Sequence, residues 1–303
     1  MPFPKKVTVV EVGPRDGLQN EPNNIPTDLK IKFINQLSTT GLSIIEVTSF
    51  VSPKWIPQMA DHSEVMRGIK HQANVRYMAL VPNPQGLQDA IAVNTPIIAV
   101  FTAASETFTQ KNINCSIEES LQRITAVIQQ AKKNNIPVRG YVSCVLGCPY
   151  EGNITPEQVR FVTEKLLALG CYQVSLGDTI GVGTPHQAAN LIDYLSKKIP
   201  LDRLAVHFHD TYAQALTNIY ACLEKGIQTV DSSVAGLGGC PYAPGAGGNV
   251  ATEDVIYMLN GLGIETGVDL NALTKAGRLI CDYLKITPRS KVSLALSQAT
   301  YRH

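Results

Sequence analysis

Short apolar segments rich in β-branched residues recur along the chain and alternate with longer segments whose apolar residues have helical spacing. Eight such apolar segments are Val7–Val12, Ser43–Ser49, Val75–Val81, Ile97–Thr102, Val138–Val145, Tyr172–Leu176, Leu204–His209 and Thr229–Val234. From Val7 to Val234 the eight segments span 228 residues, about 28 per unit, which suits one strand and one helix of a barrel. Most are apolar throughout, as parallel strands covered on both faces should be. The pattern therefore predicts an α/β protein with a parallel sheet.

Several of the intervening segments carry signals for helix ends. Capping residues precede three predicted helices, which are Leu29–Leu37 after Thr27, Leu121–Ala131 after Ser116 and Val159–Leu169 after Thr155. Eight parallel strands can form an open sheet or a closed barrel. No G-x-G-x-x-G turn follows the first strand, which weakens the nucleotide-binding form of the open sheet and favours a (β/α)8 TIM barrel.

The domain expectation is one catalytic barrel over residues 1–303. The barrel and a lid loop would occupy about 5–267, and about 268–303 would form a C-terminal helix and tail. The extra helix is predicted from Asp269 to about Leu284, with the remainder as a tail.

Composition narrows the class of protein. Hydrophobic residues make up 44% of the chain and charged residues 17%, which is enough apolar material for a sizeable core. The net charge of +1 gives no long-range attraction for nucleic acid or an anionic bilayer, so neither is an expected partner. The uncharged stretch from Ser232 to Thr252 is rich in glycine and contains proline, which predicts a loop rather than a membrane helix.

Cysteine usage and the N-terminus bear on the compartment. The chain has seven scattered cysteines, an odd number that does not suggest a disulfide framework, so a reducing compartment is the simpler interpretation. The N-terminal residues run directly into the first apolar segment, leaving no room for a signal peptide. The expected location is cytoplasmic.

The pair His207 and His209 offers the sharpest chemical signal. In a strand, residues two apart point to the same face, roughly 6.5 Å apart along the backbone, so both imidazoles can reach one ion. The alternative is two polar residues satisfied by neighbours in the barrel mouth. Asp16 after the first strand and Asn249 at the end of a glycine-rich loop would complete a set of nitrogen and oxygen donors. Such a set suits Mg²⁺ or Mn²⁺ better than structural zinc.

Other charged residues lie at the predicted strand ends, where barrels carry their catalytic groups. Arg15 beside Asp16 could hold developing enolate or carboxylate charge, or it could form a surface ion pair. Glu46 lies in an apolar strand, where a buried carboxylate needs a partner, and Arg15 is the obvious one. Asp178 could accept a proton at the mouth or could simply shape a turn.

The loop from Gly236 to Asn249 is too long and glycine-rich for a simple connection, and it carries Cys240. A thiol there could donate or accept a proton under the influence of a metal and nearby cations. It could equally be a small residue tolerated in a loop. Cys144 and Cys148 are assigned no role beyond packing and the loop.

Four segments together resemble the 3-hydroxy-3-methylglutaryl-CoA lyase family. They are Val10–Glu21, Ser49–Lys54, Ser175–Thr179 and Ala235–Tyr242. The resemblance runs from about Val7 to about Gly267, and its most specific parts are the first-strand segment and the cysteine loop. It implies a divalent-metal (β/α)8 barrel that splits 3-hydroxy-3-methylglutaryl-CoA, a CoA thioester, into acetoacetate and acetyl-CoA. That reaction is the last step of leucine degradation.

The resemblance also implies residue roles. The metal ligands would be Asp16, His207, His209 and Asn249. Acid–base and charge-stabilising roles would fall to Arg15 for the enolate, Cys240 as acid/base, Glu46 as the partner of Arg15, and Asp178 with His207 in proton transfer. The expected substrate contacts are Arg15, Gln19, Ser49 and Ser175. A homodimer is expected on the same basis. Pro22 stands where many family members carry lysine, which puts a basic contact there in doubt.

A condensing synthase and a catalytically silent binding protein are the two alternatives to a lyase. A related metal-dependent condensing synthase would share the Arg-Asp and His-x-His features, but such enzymes commonly carry a C-terminal regulatory domain for which this chain is too short. A catalytically silent barrel acting as a binding protein would be expected to lack at least one of the key residues, which are Arg15, Asp16, His207, His209 and Cys240. The sequence therefore favours the lyase.

Overall fold

Eight parallel strands close into a barrel in the computed structural model, which describes residues 3–239 and 247–299. The strands are β1 Thr8–Glu11, β2 Ile44–Ser49, β3 Arg76–Leu80, β4 Ile97–Ala103, β5 Val138–Ser143, β6 Gln173–Asp178, β7 Leu204–Phe208 and β8 Thr229–Ser232. Each strand pairs with the next in the chain, and β8 closes the barrel on β1. The predicted (β/α)8 barrel and all eight predicted strands are confirmed.

Helices separate the strands and continue beyond the last one. They are α1 Thr27–Leu37, α2 His62–Gly68, α3 Pro84–Ala92, α4 Glu106–Ile113, α5 Ile117–Lys133, α6 Pro156–Leu169, α7 Pro185–Ser196, α8 Ala215–Glu224, α9 Thr252–Gly261, α10 Leu270–Leu284 and α11 Lys291–Ala299. Capping boxes start two of the predicted helices, with Ser116 and Glu119 at α5 and Thr155 and Gln158 at α6. These caps satisfy backbone N–H groups that have no partner inside the helix.

The C-terminal segment differs in part from the prediction. The side chain of Asp269 accepts hydrogen bonds from the N–H groups of Asn271 and Ala272, so α10 begins where the sequence predicted it. The segment after α10 was predicted as a tail, but part of it is helical, since α11 covers Lys291–Ala299. Its start docks on α9, where the carboxylate of Asp254 accepts hydrogen bonds from Ser290 Oγ and from the N–H groups of Lys291 and Val292. This tertiary anchor is absent from the local sequence pattern that marks helix starts.

Apolar packing has two layers. The larger core lies between the strands and the surrounding helices. A smaller cluster fills the barrel itself and consists of Val10, Val12, Ile44, Met78, Leu80, Ile97, Ala99 and Tyr141. Within the described ranges, no helix is both long and apolar enough to cross a membrane. The barrel interior also holds buried charged groups, because Asp231 is paired with Val10 and Arg139 with Ala99 in the strand register.

Two buried glutamates tie the loops after β1 and β8 together. Glu11 accepts hydrogen bonds from the N–H groups of Gly13 and Val234 and from Thr252 Oγ1. Glu253 accepts from the N–H of Ala235, whose φ is +58°. Burial raises the pKa of each carboxyl to about 7, outweighing these hydrogen bonds, which lower it. Two glutamates therefore hold the base of the glycine-rich loop, and both bind a proton more tightly in the folded chain than in the unfolded chain.

The variant Glu253→Gln tests this arrangement. A carboxyl whose folded pKa is about 7 rather than 4.5 stabilises the fold when protonated, and this stability is lost as the pH rises through that window. Glutamine does not titrate, so the unfolding free energy of the variant relative to wild type should rise between pH 5 and pH 8. A pKa shift of this size corresponds to about 3 kcal/mol. Chemical denaturation at both pH values measures it, with exposed Glu224→Gln as the control, and a difference independent of pH would contradict the assignment.

Candidate active site

The loop after β1 brings a cation and a carboxylate to the barrel mouth. Residues Gly13–Gly17 form a single π-helical turn in which the carbonyl of Val12 accepts from three successive N–H groups, those of Arg15, Asp16 and Gly17. A side chain at Gly17 would lie 2.8 Å from Ser233 Oγ, so the close approach of the β1 and β8 loops requires glycine there. The turn places Arg15 and Asp16 above the open end of the barrel.

Asp16, His207 and His209 converge at this mouth. One ligand atom from each lies within 4.8 Å of the others. Nε2 of His207 is 3.8 Å from Oδ2 of Asp16, and the two imidazole centroids are 5.4 Å apart. The backbones of Asn249 and His209 pair in an isolated antiparallel β-bridge. The side-chain Nδ2 of Asn249 donates a hydrogen bond to Asp16 Oδ2 at 2.8 Å. The structure thus brings together all four residues that the sequence suggested as metal ligands.

The donor set fits a divalent cation. Burial and the neighbouring His207 lower the pKa of His209 to about 4, so its imidazole is neutral at physiological pH, as a ligand must be. Burial alone would raise the pKa of Asp16, but Arg15 and the two imidazoles hold it well below its usual range. The Nδ1 atoms of both histidines are buried without a hydrogen-bond partner among the described residues. Nitrogen and oxygen donors without thiolate match Mg²⁺ or Mn²⁺.

Arg15 is held from two sides. Its Nε donates to Glu46 Oε2 at 2.7 Å, and its Nη1 donates to Asp16 Oδ1 at 2.6 Å. The guanidinium also lies 5.8 Å from the ring centroid of Tyr141. Burial opposes the charge on Arg15, but Glu46 and Asp16 raise its pKa beyond the ordinary value, so the cation is permanent. The pairing of Glu46 with Arg15 that the sequence suggested is present.

A cavity of about 780 Å³ opens at the mouth, within the usual size range of ligand sites. Arg15, Asp16, Gln19, Ser49, His207 and His209 line its floor. Gln19 Oε1 and Ser49 Oγ are buried without a hydrogen-bond partner in the described part of the chain. Such atoms remain available to a substrate. Lys111 and Arg123 add positive charge to the wall.

Two of the candidate residues, Ser175 and Asp178, do not line this cavity and are hydrogen-bonded elsewhere. Ser175 is fully buried, is not among the lining residues, and donates to Asp231 Oδ2 at 2.7 Å. Asp178 is also absent from the lining, and its carboxylate accepts from the N–H groups of Val182 and Gly183, so it shapes the loop after β6. Burial raises its pKa to about 6. Cys240 lies outside the described residues.

Sequence reasoning missed a buried ion pair beneath the mouth, formed by Arg139 of β5 and Asp231 of β8. The signal was available, because a charged residue in a predicted apolar strand is what singled out Glu46. Asp231 lies between Val230 and Ser232, and Arg139 follows Val138, so both interrupt predicted strands.

Comparisons with known proteins agree with this geometry. The HMGL-like family model matches residues 6–280. The chain is 62% identical to "3-hydroxy-3-methylglutaryl-CoA lyase, cytoplasmic" of Rattus norvegicus, covering 98% of this chain and 87% of the relative. It is 59% identical to "Hydroxymethylglutaryl-CoA lyase, mitochondrial" of Gallus gallus, covering 97% and 98%. A crystal structure of hydroxymethylglutaryl-CoA lyase from Pseudomonas aeruginosa superposes with a TM-score of 0.97 at 56% identity, covering 99% and 100%.

The variant His209→Ala should weaken Mn²⁺ binding by roughly 100-fold or more, since losing only an outer partner of a ligand typically costs 10- to 100-fold. Electron paramagnetic resonance of free Mn²⁺ measures the affinity without reference to any reaction. His186→Ala is the matched control, because His186 is exposed on α7 and does not line the cavity. Equal affinities for wild type and His209→Ala would exclude this metal site.

Proposed function

The chain belongs to the HMGL-like family as a 3-hydroxy-3-methylglutaryl-CoA lyase, and we propose that it cleaves 3-hydroxy-3-methylglutaryl-CoA to acetoacetate and acetyl-CoA with a divalent cation. One observation carries the proposal from the site itself. Asp16, His207 and His209 converge on the floor of a large cavity beside the buried, permanently charged Arg15. Cleavage of this thioester requires a lower pKa for the substrate's tertiary hydroxyl group. It also requires a positive group that stabilises the negative charge of the enolate.

The cation would be held by Asp16, His207, His209 and Asn249. When bound, it supplies Lewis acidity that lowers the pKa of the substrate's tertiary hydroxyl. Removal of the hydroxyl proton allows the C–O bond to become the ketone of acetoacetate. The electron pair of the broken C–C bond then passes to acetyl-CoA as the thioester enolate.

Arg15 is the residue that would stabilise this enolate. Its Nη1 contacts Asp16 and its Nε contacts Glu46, so the guanidinium is oriented before substrate arrives. Glu46 therefore acts on the reaction by positioning Arg15. Fixed donors of this kind stabilise developing charge without reorganising during the reaction.

Two proton transfers complete the reaction. His207 would assist removal of the hydroxyl proton as a ligand of the cation, and Asp178 would accept that proton. Asp178 suits proton exchange near neutral pH because burial raises its pKa to about 6, and its charge interacts with His207. Cys240 would deliver a proton to the enolate carbon. Gly239, its neighbour in the chain, lines the cavity.

Substrate contacts are proposed for Gln19 and Ser49 together with Arg15, because Gln19 and Ser49 line the cavity with unpartnered oxygen atoms. Ser175, the fourth contact expected from the resemblance, lies outside the cavity lining, so its proposed part is to hold Asp231 through their hydrogen bond. Since Pro22 replaces the lysine of many family members, basic contacts to a CoA thioester would come from Lys111 and Arg123 in the cavity wall.

We further propose Mg²⁺ or Mn²⁺ as the ion, a homodimer as the assembly and the cytoplasm as the location. Mixed nitrogen and oxygen ligands support the choice of ion. The relatives are named for both the cytoplasm and mitochondria, so the compartment is a proposal for this chain. Light scattering during size-exclusion chromatography tests the dimer. The condensing-synthase alternative is disfavoured, since relatives matching nearly the full chain are named as lyases.

Acetoacetate release from 3-hydroxy-3-methylglutaryl-CoA by the purified protein tests the proposal. Activity should vanish with EDTA and return with Mg²⁺ or Mn²⁺, because the hydroxyl is too weak an acid without a cation. His209→Ala should not recover, whereas His186→Ala should. Cleavage that persists in EDTA would remove the metal from the mechanism, and no cleavage with any ion would refute the lyase assignment.

The variant Arg15→Lys should lower kcat by roughly 10²- to 10³-fold, the range found when one charge-stabilising donor is lost. A lysine has a single ammonium group and cannot span Glu46 and Asp16 as the guanidinium does. Steady-state kinetics measures the effect, with exposed Arg67→Lys as the matched control. A kcat within twofold of wild type would exclude Arg15 from charge stabilisation.

A further inference from the structure

A buried ion pair lies inside the barrel directly below the candidate metal ligands. Nη2 of Arg139 donates to Asp231 Oδ1 at 2.7 Å, and Nη1 donates to Oδ2 at 2.9 Å. Neither side chain is exposed to solvent. Burying two opposite charges costs roughly as much free energy as their attraction returns, so such a pair is weak support for stability. Its presence at this level of the barrel calls for another explanation.

Further hydrogen bonds fix the side chains of Arg139 and Asp231 inside the barrel. Nε of Arg139 donates to Gln173 Oε1 and its Nη1 to the hydroxyl of Tyr141, which fixes the guanidinium. Ser175 Oγ donates to Asp231 Oδ2 at 2.7 Å. The carboxylate of Asp231 is thus locked by donors from strands β5 and β6, while it projects from β8.

The remaining neighbour of this carboxylate is His207. His207 and Asp231 are directly paired in the register of β7 and β8, and Nδ1 of the imidazole is 3.5 Å from Asp231 Oδ2. That Nδ1 is buried and makes no hydrogen bond to another described residue. On the opposite edge of the ring, Nε2 faces Asp16 at 3.8 Å. The imidazole therefore stands between a carboxylate below and the candidate metal site above.

We propose that Asp231 is a positioning residue that accepts the Nδ1–H of His207 and thereby keeps the lone pair of Nε2 directed at the metal site. A neutral imidazole carries one proton, and a fixed acceptor beside one nitrogen decides which nitrogen holds it. Metal-binding histidines commonly use a carboxylate in this way. Arg139 keeps the carboxylate in register. The proposal rests on the proposed metal site, although the contact itself belongs to the metal-free chain.

The tautomer of His207 is directly measurable in the metal-free protein. Ring ¹⁵N chemical shifts of histidine-labelled protein, with His207→Gln to assign the resonance, should show the proton on Nδ1 in wild type. A proton on Nε2 would overturn the proposal, whatever any variant does. In Asp231→Asn the amide can donate to Nδ1, so the proton should move to Nε2 in part or fully.

Metal affinity gives a second readout. Asp231→Asn should bind Mn²⁺ about 10- to 100-fold more weakly than wild type, the usual loss for an outer partner of a ligand. The exposed Asp282→Asn is the control. Because Asp231→Asn leaves Arg139 buried without its counter-charge, the double variant Arg139→Gln/Asp231→Asn removes both charges and protects the fold. Equal Mn²⁺ affinity in a folded variant, with the tautomer unchanged, would refute the proposal.

The two proposals fail separately. In one outcome, His207 of the wild type carries its proton on Nδ1 in a way that depends on Asp231, but the protein neither binds Mn²⁺ nor cleaves the thioester. That result would support the contact with Asp231 and refute the proposed function. If wild type cleaves the thioester with Mn²⁺ but carries its proton on Nε2, the function stands and the role of Asp231 falls.

Discussion

The charge balance around Arg15 is the constraint on which the mouth of the barrel depends. A guanidinium buried this deeply needs counter-charge, and it has two carboxylates, Glu46 in β2 and Asp16 in the loop above. One cation and two anions leave an excess of one negative charge. The imidazoles of His207 and His209 add donor atoms, and the low pKa of His209 keeps that ring from adding positive charge. This negative excess beside the two imidazoles would attract a cation to the candidate site around Asp16.

Strand positions and the convergence of the two candidate histidine ligands could be predicted from the sequence because they depend on local periodicity. His207 and His209 are two residues apart on one strand, so their shared face follows from strand geometry alone. Glu46 stood out as a charge inside an apolar run, and its pairing with Arg15 followed from the cost of burying an unpaired carboxylate. The closed barrel then brought the ends of distant strands together.

Other features depend on contacts between distant segments, and a local pattern can mark such a residue but cannot identify its partner. Arg139 and Asp231 are 92 positions apart, and only the barrel interior makes them partners. Ser175 lies on the sixth strand as expected, yet its side chain faces Asp231 below the cavity rather than the cavity itself. Helix α11 docks on Asp254 of α9, but its start also carries a local signal that sequence reasoning overlooked, because Ser290 Oγ accepts from the N–H of Ser293. For the ion pair and for Ser175, the partner, and not the residue type, decides the role.

The buried polar contacts of Arg139, Asp231 and His207 offer a way for the barrel to hold a candidate metal ligand in place before an ion binds. Apolar side chains such as Ile44 and Met78 fill part of the interior, and the ion pair of Arg139 and Asp231 lies in the same interior beneath His207. Without a fixed partner for the ring nitrogen that faces away from the metal, a histidine could rotate or change tautomer. Metal binding would then have to offset the entropy lost when the ring is ordered. Since the strands fix both His207 and Asp231 in register, the cost of ordering the imidazole is met during folding. By the proposed contact, Arg139 and Asp231 would orient this candidate ligand as part of the folded chain.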